Sequence, residues 1–412
     1  MRDSYPHTLP SIAIPEPIRG EETGTWAHST VAVRLPDIAR RTLVENDFPL
    51  EITQRIRALI ADIPSAPVRL LQQAAPDAQD WEGYTRRFLG QDWLEVPWFF
   101  IETYFYRRLL EATGYFESGP GHFLDPFVFQ KVEGLNTART TIAVLAEHLS
   151  AWQTGDDQES HLATLLAIDL WGNRADMSLW PADEGDQLSH DEWESFDEQL
   201  LVNDTEAVTQ LLGQRTGTRI DFLVDNAGLE LVMDLAVADY LLTSATAASV
   251  HLHLKIHPTF VSDAMIKDVN HTIDWLSQSD DPATNAFGQR LANHRANECL
   301  ILRDHPFWTS PLAFWEMPND VRQELGKADL IISKGDANYR RLLGDRHWSY
   351  TASFSEIMAY TPAPLLALRT LKAELVAGLE QEQIERLNQE DPQWMVNGRW
   401  GVIQFAPGNQ AR

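Results

Sequence analysis

The pattern of apolar and polar positions changes near residue 215. Before this point, apolar residues recur at intervals of three and four, which is typical of amphipathic helices. After it, short apolar runs that indicate buried strands alternate with helical stretches. These runs lie at 220–224, 250–256, 298–303, 328–333 and 364–372. Because strands that alternate with helices form parallel, doubly wound sheets, we predict an α/β fold.

The first part of the chain is predicted to be almost entirely helical. Its helices are expected over 35–75, 97–114, 137–151, 162–170 and 203–214. Residues 1–30 contain four prolines and are predicted to form an extended arm. We therefore expect three parts: the arm at 1–30, a helical domain at 31–215 and an α/β domain at 216–412.

Between and after the predicted strands, the same periodicity places further helices. They are expected over 229–242, 270–297, 339–343 and 374–388. Residues 182–198 are rich in acidic side chains and are predicted to be a solvated loop. The tail carries Trp394, Trp400 and Phe405, which are expected to fold back as a cover over the core.

Composition narrows the classes of partner. The chain has 412 residues, a formal net charge of −27 and one cysteine, Cys299. Such an excess of negative charge disfavours nucleic acid and anionic membrane surfaces as partners. No apolar run reaches the length of a membrane span, and the first residues lack the apolar core of a signal peptide. We expect a cytoplasmic protein, monomeric or a small homo-oligomer, that acts on a small molecule.

Residues 221–242 contain the first candidate metal-binding residues. A buried strand ends there in Asp225 and Asn226, turns at Gly228 and continues as a helix. Ligands of open α/β sheets bind at the carboxyl ends of strands, and adjacent carboxylate and carboxamide oxygens suit Mg²⁺ or Mn²⁺. Taken alone, however, the stretch is better explained by an Asx turn and a helix cap.

Three further predicted strands also end in polar side chains. These are Lys255 with Asp263, then Lys334, Gly335, Asp336 and Asn338, and finally Arg369, Thr370 and Lys372. In a parallel sheet these ends meet at one edge, which would bring acidic oxygens and cations together. That mixture suits a divalent metal next to a phosphoryl group, with Lys and Arg neutralising the remaining charge. The glycine and the helix after it suit phosphate binding.

Two other features have competing interpretations. Glu102 lies in a mostly apolar helix and either faces the site or pairs internally with Arg107 or Arg108. His251, His253 and His257 alternate along a strand and raise the possibility of zinc. Alternation of this kind also arises where one face of a strand meets polar groups, and no further ligands are positioned by the sequence.

At these residues the sequence resembles the third subfamily of the metal-dependent damage-control phosphatases, also described as acidic-residue (protein-glutamate) methyltransferase-like proteins. The resemblance covers most of the chain after residue 30. Its motifs are Glu-Thr-Tyr-Phe-Tyr-Arg-Arg within 99–116, Trp-Gly-Asn within 170–179, Asp-Asn-Ala-Gly within 222–235, Lys-x-His-Pro-Thr-Phe-Val-Ser-Asp within 254–264, Lys-Gly-Asp-x-Asn-Tyr-Arg within 329–342 and Arg-Thr-x-Lys at 369–372.

The resemblance implies a three-layer α/β/α Rossmann-like sandwich with an N-terminal helical domain. It implies a divalent metal (Mn, Co, Ni or Mg) held by Asp225, Asn226 and Asp263. It also implies phosphate contacts from Lys334 with its loop and from Lys372. The implied activity is hydrolysis of small phosphorylated metabolites, sugar phosphates such as fructose 1-phosphate among them. Either a water or Asp225 itself would attack the phosphorus.

The alternative that the same resemblance raises is an S-adenosylmethionine-dependent protein-glutamate carboxyl methyltransferase. The first strand of the predicted sheet is followed by a single glycine, Gly228, and by no Gly-x-Gly turn of the kind that approaches a nucleotide cofactor. The cluster of cations at the strand ends also has no evident purpose in methyl transfer. The sequence therefore favours the phosphatase over the methyltransferase; a catalytically silent protein that binds phosphorylated metabolites is a third alternative.

Overall fold

A single seven-stranded sheet forms the centre of the protein. The computed structural model describes residues 8–152, 157–172 and 198–409. The strands are β1 (Leu200–Asn203), β2 (Thr218–Leu223), β3 (Ala247–Leu254), β4 (Leu300–Asp304), β5 (Leu330–Lys334), β6 (Leu365–Thr370) and β7 (Gly401–Ala406). Their order in the sheet is β1-β7-β6-β5-β2-β3-β4. Strands β2 to β6 run parallel to one another, whereas β7 is antiparallel to β6 and β1 is parallel to β7.

Helices account for most of the remaining described chain. Before the sheet they are α1 (Trp26–Ser29), α2 (Leu35–Glu45), α3 (Leu50–Asp62), α4 (Ala78–Arg86), α5 (Trp98–Thr113), α6 (Val128–Thr137), α7 (Arg139–Trp152) and α8 (Gln158–Trp171). A π-helical turn, Thr30–Arg34, joins α1 to α2. The helices among the strands are α9 (Thr205–Gly213), α10 (Leu229–Thr243), α11 (Ile266–Ser277), α12 (Pro282–Ala296), α13 (Asn319–Leu325), α14 (Gly335–Leu342), α15 (Phe354–Ile357) and α16 (Gln381–Glu390).

Two apolar cores lie on the two faces of the sheet, because parallel strands bury both faces. One core joins α2, α3 and α5 to the segments that follow β4, with Trp98, Tyr104 and Trp315 among its members. The other joins α7 and α8 to α10, α11 and α12, with Trp171 and Phe287 among its members. The predicted three-layer α/β/α sandwich with a helical N-terminal region is confirmed.

The helical first part is not set apart from the sheet. Its helices contribute to both cores, and β1 precedes the boundary that we predicted near residue 215. Whether 31–215 and 216–412 behave as separate domains stays a prediction. No helix of the described ranges is both long and apolar enough to cross a membrane. Most of the predicted acidic loop at 182–198 lies outside the residues that the structure describes.

Several predicted element bounds were wrong, each for a local reason. The tail is not only a cover, because β7 enters the sheet between β1 and β6. The helix predicted over 270–297 is two helices, since Pro282 begins a new one whose N-cap is Asp281. The helix predicted over 339–343 already starts at Gly335, and that predicted over 374–388 starts only at Gln381.

His251 and His253 of β3 and His257 beyond it do not form a shared metal site. The Nδ1 atom of His251 accepts a hydrogen bond from Arg303 at 2.9 Å. The Nε2 atom of His253 lies 2.8 Å from Asp221 Oδ2. His257 is near the carbonyl of Pro258, with Nδ1 at 3.3 Å. Separate partners therefore explain the alternation that raised the possibility of zinc.

Asp221 anchors a buried ion-pair network in the middle of β2. Arg219 donates two hydrogen bonds to this carboxylate, at 2.7 and 2.8 Å, and His253 contacts it from β3. Burial favours the neutral acid, but Arg219 and His253 outweigh it and hold the pKa of Asp221 below its usual value. We predict that Asp221→Ala lowers the free energy of unfolding by about 3–5 kcal/mol, because the arginine and the histidine lose their partner.

Urea denaturation measures this loss. The matched control is Asp37→Ala, which removes a carboxylate whose partner, Arg40, is exposed at the surface. Exposed pairs contribute little, so the control is expected to stay within about 0.5 kcal/mol of the wild type. An equal, small effect of both substitutions would contradict the importance of the buried network.

His257 gives the fold a dependence on pH. Burial lowers the pKa of His257 to about 4. The charge of Asp77 opposes this shift only in part, and the charge of Arg107 adds to it. In the unfolded chain the same imidazole has a pKa of about 6.5, so the unfolded state takes up the proton first as pH falls. We predict that the contribution of His257 to stability falls between about pH 6.5 and pH 4, so that His257→Gln gains stability relative to the wild type as pH is lowered through this range. Thermal melting across that range is the measurement; parallel pH profiles of both proteins would refute it.

Candidate active site

The candidate site lies where the order of the strands reverses. Strands β3 and β4 lie on one side of β2, and the next strand in the chain, β5, lies on the other side of β2. The carboxyl ends of β2 and β5 therefore flank a crevice, the usual position for a ligand in a doubly wound sheet. A cleft of about 720 Å³ opens there. Its lining includes Glu102, Asp225, Asn226, Asp263, Lys334, Gly335, Asp336, Thr370 and Lys372.

Main-chain hydrogen bonds assemble the acidic end of the cleft. Beyond β2, the segment at 225–227 pairs in antiparallel fashion with the segment at 262–264 beyond β3. The N–H of Ala264 donates to the carbonyl of Asp225 at 2.8 Å, and the N–H of Ala227 donates to the carbonyl of Ser262 at 2.7 Å. This pairing brings Asp225, Asn226 and Asp263 together, as the strand ends predicted.

The side chains at this junction leave carboxylate oxygens without donors. Asn226 donates to Asp225 Oδ2 at 3.0 Å and to Glu230 Oε2 at 2.9 Å, while its own oxygen accepts from Ser262 at 2.6 Å. Asp225 Oδ1 is buried and has no hydrogen-bond partner among the described residues. Asp263 Oδ2 is 3.3 Å from the ammonium of Lys255 but lacks hydrogen-bond geometry.

Backbone conformation also marks this loop as constrained. Phe260 and Val261 have φ values of 45° and 69°, in the left-handed region that non-glycine residues rarely occupy. Val261 is β-branched, for which this conformation is especially unfavourable. Strain of this kind persists only where the surroundings fix the backbone, and it is concentrated at functional sites.

Gly335 brings the end of β5 against the same carboxylate. Its φ is +79°, and a Cβ atom there would lie 1.9 Å from Asp225 Oδ2. Only glycine therefore allows this approach. Because α14 begins at Gly335, the positive end of that helix faces the cleft, which favours an anion.

The buried carboxylates hold their protons unusually tightly. Burial, together with the charges of Asp263 and Glu230, raises the pKa of Asp225 well above its usual value. Burial also raises the pKa of Asp263 to about 6, although Lys255 opposes the shift. A bound cation would relieve this electrostatic cost, so the hard oxygen donors at this junction fit a divalent metal.

The composition of this donor set is mixed. Across 8–152, 157–172 and 198–409, no three His, Cys, Asp or Glu side chains are grouped as a metal site. The set at the cleft instead has two carboxylates, from Asp225 and Asp263, and one carboxamide, from Asn226. Its fit to a metal rests on the unpartnered carboxylate oxygens and the raised pKa values rather than on a preformed cage.

Lys334 is held by two acidic side chains that the sequence analysis missed. Its ammonium forms an ion pair with Asp169 of α8, lies 2.9 Å from Asp234 Oδ1 of α10 and donates to the carbonyl of Asp169 at 2.9 Å. Burial favours the neutral amine, but these carboxylates outweigh it and raise the pKa of Lys334. The lysine therefore stays charged in the wall of the cleft.

Three of the predicted substrate ligands are occupied with protein partners. Asn338 donates to the carbonyls of Leu223 and Val224, and Lys255 contacts both Asn338 and Asp263. Arg369 is bound to Asp336, at 2.8 Å, and to main-chain carbonyls. Lys255, Asn338 and Arg369 do not belong to the cleft lining, so they lie behind the wall that the other predicted residues form.

Glu102 reaches the cleft from α5. It is buried and accepts a hydrogen bond from Arg340 of α14 at 2.6 Å. The internal partners considered from the sequence are engaged elsewhere, Arg107 with Asp77 and Arg108 with Asp62. Glu102 thus both faces the site and has an arginine partner, which ties the helical first part to the end of β5.

The acidic residues that sequence reasoning missed share one property: each is a carboxylate within an apolar helical run. Asp169 follows Leu165, Leu166 and Ile168, and Asp234 lies within the apolar stretch of α10. Glu230 lies in the first turn of the same helix and lines the cleft. A fully buried carboxylate needs a partner, and that requirement was the available signal.

Comparisons with known proteins agree with the motifs. A family model described as the damage-control phosphatase ARMT1-like domain matches residues 30–387. The damage-control phosphatase ARMT1 of Rattus norvegicus is 32% identical over 430 residues, covering 94% of this chain and 98% of the relative. Its Xenopus tropicalis counterpart is 34% identical over 427 residues, covering 93% and 97%. The Homo sapiens protein is 30% identical over 436 residues, covering 95% and 98%.

Among solved structures, a DUF89 family protein from Pyrococcus horikoshii aligns with a TM-score of 0.47 and 14% identity, over 90% of this chain and 95% of that one. The family assignment rests on the sequence matches, which span nearly the whole chain at 30% identity or more. The resemblance seen in the motifs is confirmed: the chain belongs to the damage-control phosphatase ARMT1-like family.

Proposed function

We propose that this protein is a divalent-metal-dependent phosphatase that hydrolyses small phosphorylated metabolites. The observation that carries the proposal is the junction of Asp225, Asn226 and Asp263, where buried carboxylate oxygens converge without donors. The relatives are named damage-control phosphatases, which agrees with this chemistry. Mn, Co, Ni and Mg all accept oxygen ligands of this kind.

Different residues of the cleft would have different roles in such a reaction. Asp225, Asn226 and Asp263 would hold the metal, which supplies Lewis-acid polarisation of the phosphoryl group. Lys372 lines the cleft as a cation, and the amino end of α14 offers main-chain N–H groups to phosphate oxygens. Lys334 stays protonated near neutrality, but its two carboxylate partners offset most of its charge, so its role is to hold the end of β5 in place.

The shape of the cleft supports a small polar substrate. A volume of about 720 Å³ lies in the range that encloses a whole metabolite. Its lining combines Glu102, Gln130 and Thr141 with the partly exposed Trp26. Such a wall can accept hydroxyl groups by hydrogen bonds and the apolar face of a sugar by contact. We propose a sugar phosphate, and fructose 1-phosphate is the first compound to test.

The methyltransferase alternative stays a prediction with a direct test. Isothermal titration with S-adenosylmethionine would have to show tight, saturable binding to revive it. The phosphatase account predicts that no such binding is detected, and that phosphate is released from fructose 1-phosphate when Mn²⁺, Co²⁺, Ni²⁺ or Mg²⁺ is added.

We predict that Asp225→Ala and Asp263→Ala each abolish metal-stimulated phosphate release, because each removes a carboxylate from the proposed metal site. A colorimetric phosphate assay with Mn²⁺ and fructose 1-phosphate measures the effect. Asp37→Ala, a change of an exposed side chain outside the cleft lining, serves as the control and is expected to keep wild-type activity. Full activity in either cleft variant would refute the assignment of the metal ligands.

Alanine substitutions at two glycines, Gly335 and Gly90, distinguish the effect of backbone strain from the effect of displacing Asp225. Gly335 and Gly90 have almost equal φ values, +79° and +82°, but a Cβ at Gly90 would meet no atom within 4 Å. Alanine at either position costs about 1–2 kcal/mol of backbone strain. We predict that Gly335→Ala also displaces Asp225 and lowers kcat/KM at least 100-fold, whereas Gly90→Ala leaves it within about twofold. Equal activities of the two variants would show that the close approach of Gly335 to Asp225 is unimportant.

A further inference from the structure

The cations of the cleft differ in whether the protein already neutralises them. Lys334 is paired with Asp169 and Asp234, as described above. The ammonium of Lys131 lies between Asp125 and Asp268, at 3.0 and 2.8 Å. Arg340 is paired with Glu102 and Asp345, at 2.6 and 2.9 Å. These three cations have acidic partners, so they add little net positive charge to the cleft.

Two other cations of the lining have no such partner. The side chains of Arg34 and Lys372 are exposed and form neither an ion pair nor a hydrogen bond with any side chain in the part of the chain that the structure describes. Lys372 follows β6, lines the cleft, and its main-chain N–H donates to Asp336 Oδ1 in the first turn of α14 at 3.3 Å, which places it at the proposed phosphate-binding end. Arg34 belongs to the wall that the N-terminal helices form.

An unusual backbone feature turns Arg34 toward the cleft. Residues Thr30–Arg34 form a π-helical turn, in which the N–H of Leu35 donates to the carbonyl of Thr30. Pro36 follows at once and has no N–H with which to continue the α-helical pattern. π turns are rare and are often found at functional sites.

The π turn changes which residues share a face. Trp26 and Arg34 are eight positions apart, and in a regular α-helix they would point about 80° away from each other. A π turn absorbs one extra residue, so the pair is spaced like positions i and i+7, which differ by only about 20°. Both side chains accordingly line the cleft.

From this arrangement we infer that Arg34 is a specificity-determining residue that binds a second anionic group of the substrate. The inference rests on the proposed function. Among the small phosphorylated metabolites, it favours sugar or polyol phosphates that carry a second anion, either another phosphate or a carboxylate, away from the phosphate that is hydrolysed. A guanidinium suits both groups because it binds them in bidentate fashion.

The overall charge strengthens the argument. With a formal net charge of −27, the protein repels a multiply charged anion unless local cations offset the field. One free cation at the reacting end suffices for a single phosphate. Arg34 is a second free cation in the lining, and Trp26, which lines the cleft with it, can contact the carbon skeleton. A second negative group on the substrate would have Arg34 as its partner.

The test compares matched substrates that differ in one anionic group. Phosphate release is measured with Mn²⁺ for fructose 1-phosphate against fructose 1,6-bisphosphate, and for glucose 6-phosphate against 6-phosphogluconate. The wild type is expected to have the higher kcat/KM for the doubly anionic member of at least one pair. The first pair tests a second phosphate and the second pair tests a carboxylate.

Arg34→Gln is expected to lower that preference, expressed as the ratio of the two kcat/KM values, about 10- to 100-fold through KM. This is the size expected for the loss of one charge-assisted interaction. Arg34→Lys is expected to retain part of the preference. The control is Arg40→Gln, a change of another exposed arginine nearby, which is paired with Asp37 and lies outside the cleft lining.

The outcomes separate this inference from the proposed function. Suppose that phosphate is released from the compounds with one anionic group. If the wild type then shows no preference, or if the ratio is unchanged in Arg34→Gln, only the role of Arg34 is overturned. Absence of metal-stimulated release from all four compounds would overturn the proposed function, and this inference with it. Loss of the preference in Arg34→Gln but not in Arg40→Gln would support the inference.

Discussion

The structure of the cleft depends on the pairing of the two segments that follow β2 and β3. Two main-chain hydrogen bonds, from Ala264 to Asp225 and from Ala227 to Ser262, hold a pair of buried carboxylates side by side. Bringing two such groups together in a poorly solvated place is unfavourable, and the raised pKa values express that cost. The hydrogen bonds of the backbone are what impose the arrangement.

The surroundings stabilise this junction without neutralising it completely. Lys255 approaches Asp263 from behind, and Gly335 lets the end of β5 come up against Asp225. Helices of the first part also contribute, since Glu102 comes from α5 and Asp169 from α8. The site is thus shared between the sheet and the N-terminal helices, and neither part contains it alone.

Much of this arrangement could be predicted from the sequence, because the features concerned are local. Asp225 with Asn226, and Lys334 with Gly335, each follow an apolar run at a strand end, and parallel strands bring such ends together. Two strands were missed. β1 has only four residues, and the apolar run of β7 is interrupted by Gln404, which is buried and accepts a hydrogen bond from Tyr339. Asp169 could not be assigned to Lys334, because its partner is 165 positions away and only the packing of α8 on the sheet joins them.

The central claim is that Asp225, Asn226 and Asp263 hold a divalent metal at the end of β2. Crystals grown with Mn²⁺ and measured near the manganese absorption edge test it most directly, because anomalous scattering locates the ion without reference to activity. The account predicts one strong anomalous peak bounded by oxygens of these three side chains. A peak elsewhere, such as beside the Asp169 and Asp234 carboxylates, or no peak in the cleft at saturating Mn²⁺, would contradict it.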